Sequence, residues 1–324
     1  MSRAPLRPGT HTVALLGIPH RYHVAGSGPL CIVHPGGPGL GWEYLRMPEV
    51  EEHLTLVYLE PAGTGGSGHL ATPNDYRITT YTAFLSALVE HLGAQEAFLI
   101  GHSHGGFVAQ TYALTHPAHL TGLILYDTSP VTGQEFWEQA LANLNRLPQR
   151  HPEAATIPQA FQQTLAATDN ASATAGLRAV LPAYFADYWA HERELAPLRA
   201  TIRAWIDPLR SAEPPFDVRH RLPEISTPTL VVSGAHDFIC GPRWGRMLHE
   251  GIPGSRLLLL EASGHLGHLE EPDIFARTVT EFVLRTAAGD RDTPPSPRAV
   301  LALPPTVDVH LTDGPDHRGG GLGF

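Results

Sequence analysis

The sequence predicts an α/β protein: a mostly parallel central sheet, helices on both faces, and a helical cap inserted over one end. Three observations predict it. Short apolar runs recur at 29–33, 54–59, 97–100, 122–126, 228–234 and 255–260, each the length of a buried strand. Helix-like runs separate most of them, which implies parallel strands covered on both sides. The regular alternation stops after Tyr126, where residues 130–220 hold helix-like runs separated by prolines.

Taken in order, residues 11–18 and 20–25 form a hairpin around Gly17. Leu30-Cys31-Ile32-Val33 is the first buried central strand, and 54–59 is the next. Thr79 or Thr80 caps a helix over Tyr81 to Leu92, with Phe84, Leu85, Leu88 and Leu92 on one face. Ala97-Phe98-Leu99-Ile100 is a buried strand, and Phe107 to Thr115 is the helix that follows it. The inserted helical runs are 135–147, 158–167, 175–189 and 192–206. Their aromatics, among them Trp137, Phe161, Tyr184 and Trp189, suggest an apolar chamber beneath the insertion. The expected division is core 1–129, cap 130–220, core 221–287, and a disordered tail at 288–324.

With 324 residues, 42% of them hydrophobic, the chain can bury a full core. Net charge is −10 and lysine is absent, so a nucleic-acid surface is not expected. Cys31 and Cys240 make no disulfide framework. No apolar run approaches the ~20 residues of a membrane helix, and Val13 to Ile18 is too short for a signal core, so the expectation is a cytoplasmic protein away from membranes. Oligomeric state is left open. No cofactor is expected: Gly63-Thr64-Gly65-Gly66 lacks the Gly-Lys-Ser/Thr of a phosphate loop. Nor is a catalytic metal, because residues flanking a sharp turn, such as His102 and His104, diverge.

The motif that carries chemistry is Gly101-His102-Ser103-His104-Gly105-Gly106, a Gly-x-Ser-x-Gly-Gly turn between a buried strand and a helix. Glycines there let neighbouring backbones approach. A serine hydroxyl needs a base, a carboxylate to orient the base, and amide donors for an oxyanion. Asp237, in the loop after the strand 228–234, is the expected acid. Asp127, after the strand ending at Tyr126, competes with it, although Asp before Thr128-Ser129-Pro130 also reads as a turn former. His265, beyond the strand 255–260, is the expected base, with His268 as its neighbouring rival. The loop His34-Pro35-Gly36-Gly37-Pro38-Gly39 follows the first central strand, and the amides of Gly37 and His104 are the expected oxyanion donors.

With these parts placed, the chain resembles the α/β-hydrolase superfamily over roughly residues 11–287, which implies the α/β-hydrolase fold. Within it, Gly36-Gly37-Pro38-Gly39, Glu60-Pro61-Ala62-Gly63-Thr64-Gly65-Gly66-Ser67 and Gly264-His265 are similar to segments of the proline iminopeptidase group of serine peptidases. Pro35 stands where that group has histidine, with His34 one place earlier, and Ala62 stands in place of its arginine. The resemblance implies acyl-enzyme hydrolysis of short peptides with an N-terminal proline. The alternative is an esterase, lactonase, amidase or tailoring enzyme for an apolar small molecule, or a non-hydrolytic binding homologue. His34, Tyr184, Asp187, Trp189, Glu192 and Glu194 are the candidate substrate contacts, the carboxylates being able to hold a substrate ammonium.

Overall fold

The computed structural model describes residues 4–94, 97–209, 211 and 213–289. Eight strands form one sheet: β1 (Gly9–Leu15), β2 (Ile18–Gly26), β3 (Leu30–His34), β4 (Thr55–Leu59), β5 (Ala97–His102), β6 (Leu120–Tyr126), β7 (Thr229–Gly234) and β8 (Arg256–Leu260). Their order is β1-β2-β4-β3-β5-β6-β7-β8. The β1–β2 hairpin turns at Leu16 and Gly17, and β2 pairs antiparallel with β4. From β4 onward every pairing is parallel.

Why the central runs are apolar throughout follows from the pleat. Successive side chains leave opposite faces of a strand. Ile32, Leu99 and Val231 therefore enter one core, while Cys31, Val33, Phe98, Ile100, Leu230 and Val232 enter the other. Both faces of these central strands are covered, so their runs are mostly apolar rather than alternating. The chain runs from β3 outward to β4, then returns across β3 to start β5. Strand order thus reverses between β3 and β5, and the crevice beyond their carboxyl ends is where such sheets bind ligands.

The helix expected over Tyr81 to Leu92 spans Ile78–His91, and its buried face includes Phe84, Leu85 and Leu88. Neither Thr79 nor Thr80 caps it. The Glu213 carboxylate, 135 residues away in sequence, accepts the Ile78 N–H at 3.0 Å instead. Between β6 and β7 lie helices Gln134–Arg150, Ile157–Leu165, Asn170–Val180 and Glu192–Thr201. The run at 175–189 is helical only to Val180; Pro182 then sits in a 3-10 turn spanning Leu181–Tyr184. Pro182 has no N–H to return to the Arg178 carbonyl, which accepts from Arg199 Nε at 2.9 Å instead, so the α ladder ends there. At its other end the Asp169 side chain accepts the Ser172 N–H at 2.8 Å, which starts the helix earlier than expected. Residues 39–40 and 204–205 join through a Leu40–Ala204 bridge and the Trp205 N–H to Gly39 carbonyl bond.

Among the described residues no helix is long and apolar enough to cross a membrane. The expected tail lies, from residue 290 on, outside the described residues.

Candidate active site

Ser103 stands between β5 and the helix His104–Thr115 with φ 53° and ψ −119°. A non-glycine residue holds such a φ only where its surroundings over-determine it. Here they do. The Ser103 N–H donates to the Tyr126 carbonyl at 3.0 Å, and its carbonyl accepts from the Gly106 N–H and the Thr128 hydroxyl, each at 2.8 Å. The glycines are forced by contact. A Cβ on Gly101 would lie 2.5 Å from the Gly105 carbonyl oxygen, and one on Gly105 would lie 2.2 Å from the His34 oxygen. The helix is pressed that closely onto the strand ends.

Asp237 leaves the end of β7 and is buried. Its Oδ1 accepts the N–H groups of Ile239 and Cys240 at 2.9 and 3.1 Å. Its Oδ2 accepts the His265 Nδ1–H at 2.7 Å. The His265 main chain is fixed as well: its N–H donates to the Tyr184 carbonyl at 2.7 Å, and its carbonyl accepts from His102 Nε2–H at 3.0 Å. Nε2 of His265 is the ring nitrogen left over. Ser103 faces the Cys240 thiol in this conformation, and no hydrogen bond joins its hydroxyl to His265 among the described residues. Ligating atoms of Cys240, Asp237 and His265 lie within 4.8 Å of one another.

The competing acid is also close. Asp127 is fully buried, with a φ of 42°. Its Oδ1 accepts the Gly234 N–H at 2.7 Å, and its Oδ2 has no partner among the described residues. Burial, then the Asp237 charge, raises its carboxyl well above the usual range.

Two histidines join the loop after β3 to the loop carrying His265. The Gly36 N–H donates to the Tyr44 hydroxyl at 2.7 Å, and that hydroxyl donates to His102 Nδ1 at 2.8 Å. The direction follows from His102 Nε2, which must carry a proton to bond the His265 carbonyl. Burial, then the charge of a protonated His265, holds His102 neutral. His268 repeats the pattern: Tyr126 OH meets its Nδ1 at 2.9 Å, and its Nε2–H donates to the Tyr44 carbonyl at 2.8 Å. Burial lowers the His268 pKa to about 4, so it too stays neutral. With both nitrogens of each ring committed, these groups have no lone pair to spare for a metal. Sequence reasoning missed Tyr44 and this role of His102, since nothing in spacing marks a contact across 58 positions. Tyr44→Phe leaves the Gly36 N–H and His102 Nδ1 unpartnered. It should lower kcat by roughly 10- to 100-fold at a KM changed less than threefold. Steady-state kinetics on an activated ester check this, and an unchanged kcat would remove Tyr44 from the site.

The other expected residues divide cleanly. Gly37 directly follows Gly36, whose added Cβ would stand 2.9 Å from Ser103 Cβ, and His104 opens the helix where amides lack intrahelical partners. The His104 side chain packs on Tyr81 and Phe107, away from His102. His34 is buried behind the turn, its Nδ1–H on the Pro35 carbonyl, and burial lowers its pKa to about 4. Tyr184 joins the site, its ring 5.3 Å from that of His265 and 5.1 Å from Phe238. Trp189 instead stacks on His151. Asp187 caps its own turn through the Ala190 N–H, Glu192 faces Arg199, and Glu194 faces His191; all three carboxylates are exposed. Glu270 is the carboxylate that braces the loop carrying His265. It accepts the Gly264 and Ala186 N–H groups at 2.7 Å each, and burial raises its pKa to about 7.

Residues 29–272 match the alpha/beta hydrolase fold family. The chain belongs to that family. Among curated relatives of this hydrolase, a candidate carbamate hydrolase (RutD) of Pseudomonas savastanoi pv. phaseolicola is 29% identical across 76% of this chain and 90% of its own. A proline iminopeptidase of Clostridium botulinum is 26% identical across 79% and 89%. A pimeloyl-[acyl-carrier protein] methyl ester esterase of Neisseria meningitidis is 32% identical across 69% and 70%. These names span carbamate, peptide and ester substrates, so they fix the hydrolase family and leave the bond it cleaves to the chemistry of the site.

Proposed function

We propose that this hydrolase works through a serine acyl-enzyme and acts on an ester or amide with an apolar acyl group. The observation carrying the reading is the His265 imidazole, held by Asp237 on one nitrogen and leaving the other toward the pocket of a strained serine. A turn about the Ser103 Cα–Cβ bond re-aims its hydroxyl from the Cys240 thiol to His265 Nε2. The hydroxyl proton passes to Nε2 as Oγ bonds the substrate carbonyl carbon. The oxyanion takes the amides of Gly37 and His104. The proton then goes to the leaving group, and a water activated by the same imidazole releases the acid.

The apolar preference rests on Tyr184 beside His265 and on Phe238 packed against Tyr184, together with Asp187, Glu192 and Glu194 lying exposed beside local partners. An aminopeptidase needs a carboxylate aimed at the substrate ammonium. The proline iminopeptidase reading is kept as the second, favoured by the similarity of the glycine loop and by the relative above. Purified protein assayed on p-nitrophenyl butyrate and on proline-β-naphthylamide separates them. The expected result is a higher kcat/KM for the ester, and faster naphthylamide cleavage would transfer the assignment to the peptidase.

A further inference from the structure

A cleft of about 480 Å³ lies between the helix Gln134–Arg150, the helix Pro242–Gly251 and the loop Ala235–Phe238. Four arginines line it: Arg146 and Arg150 from the first helix, Arg243 and Arg246 from the second. That concentration is unusual in a chain with 22 basic against 32 acidic residues and no lysine. The lining offers little to neutralise it. Asp237 is the one carboxylate there, and its oxygens are taken by His265, Ile239 and Cys240. Arg243 is paired with Glu135 from outside the lining. Arg150 donates to His236 Nδ1 at 3.1 Å. Arg146 and Arg246 meet no carboxylate within 4.0 Å among the described residues.

All four arginines are exposed, and like charges gathered around a concave surface repel each other and focus a positive potential into the space between them. A small anion relieves that repulsion. Guanidinium forks match the tetrahedral oxygens of a phosphate, and two uncommitted forks on facing helices suit a group with more than one charged centre. Neither Ser103 nor His265 lines the cleft, so its occupant is not the acyl group undergoing hydrolysis.

We propose that this arginine cleft is a second site, binding a small phosphate-class polyanion such as a diphosphate group. It shares the Asp237 loop with the candidate active site, yet it stands independently of what that site hydrolyses.

Calorimetric titration of the full chain with inorganic pyrophosphate, at constant ionic strength, tests it without any activity readout. Saturable binding is expected, weakened at least about tenfold in Arg146→Gln/Arg246→Gln. Arg221→Gln, which removes one charge outside the cleft, should bind as the wild type does. Titrating ADP in parallel distinguishes the source: equal affinity assigns the site to the diphosphate itself, and tighter ADP binding to an esterified one. Absence of saturable binding by both ligands would overturn the proposal. So would an undiminished affinity in the double variant, or equal affinity for succinate.

Discussion

Ser103→Ala is expected to lower kcat by about 10⁴-fold or more on any substrate the wild type turns over, while leaving the fold intact. The two halves of that expectation rest on different atoms. The turn is held by the Ser103 N–H to Tyr126 and by its carbonyl, which accepts from Gly106 and Thr128. Alanine keeps all three bonds and the same Cβ. The hydroxyl itself gives up only its contact with Cys240. Stability should therefore change by less than about 1 kcal/mol, the range of a single modest hydrogen bond. Nor can the neighbouring thiol take over. Burial, then the Asp237 charge, pushes Cys240 well above its ordinary pKa, and a thiol kept protonated is a weak nucleophile. Kinetics paired with a urea melt measure both halves. A loss of activity under tenfold in a folded variant would take the nucleophile's role away from Ser103.

What was legible in the sequence is what the parallel sheet makes regular. Each strand of β3, β5, β6 and β7 ends on the same edge, so residues just past apolar runs meet: the loop at 34–39, Ser103, Asp127 and Asp237. Chain order could rank Asp237 over Asp127 but could not measure either against His265; the 2.7 Å bond does that. Contacts made by non-repeating coil left no such mark. Tyr44 lies in a single 3-10 turn, Glu43–Leu45, within the long β3–β4 connection, and its bonds to Gly36 and His102 depend on how that connection closes. The Glu213 cap on Ile78 is hidden for the same reason. Glu192-Arg193-Glu194 reads in the sequence as an ammonium site or, more simply, as a solvated helix face, and the exposure and local pairing of its carboxylates favour the second.

The adjacent acids should respond very unequally to the same substitution. Asp237→Asn is expected to lower kcat by about 10⁴-fold, and Asp127→Asn by less than about tenfold. In Asp237 the N–H groups of Ile239 and Cys240 both point at Oδ1. They would pin the oxygen of a carboxamide there and turn its NH₂ toward His265 Nδ1. That nitrogen must then accept, so the imidazole proton moves to Nε2, where a base able to take the Ser103 proton needs a lone pair. Asp127 presents the reverse case. Gly234 would hold the amide oxygen where Oδ1 now sits, and the NH₂ would replace an oxygen that bonds nothing among the described residues. Because burial and the Asp237 charge already favour the uncharged carboxyl, no charge beside His265 is lost. Measuring kcat against pH for both variants decides between the acids. If Asp127→Asn collapses while Asp237→Asn retains activity within tenfold, the imidazole is steadied from the end of β6, and the hydrogen bond at β7 serves only to close the loop.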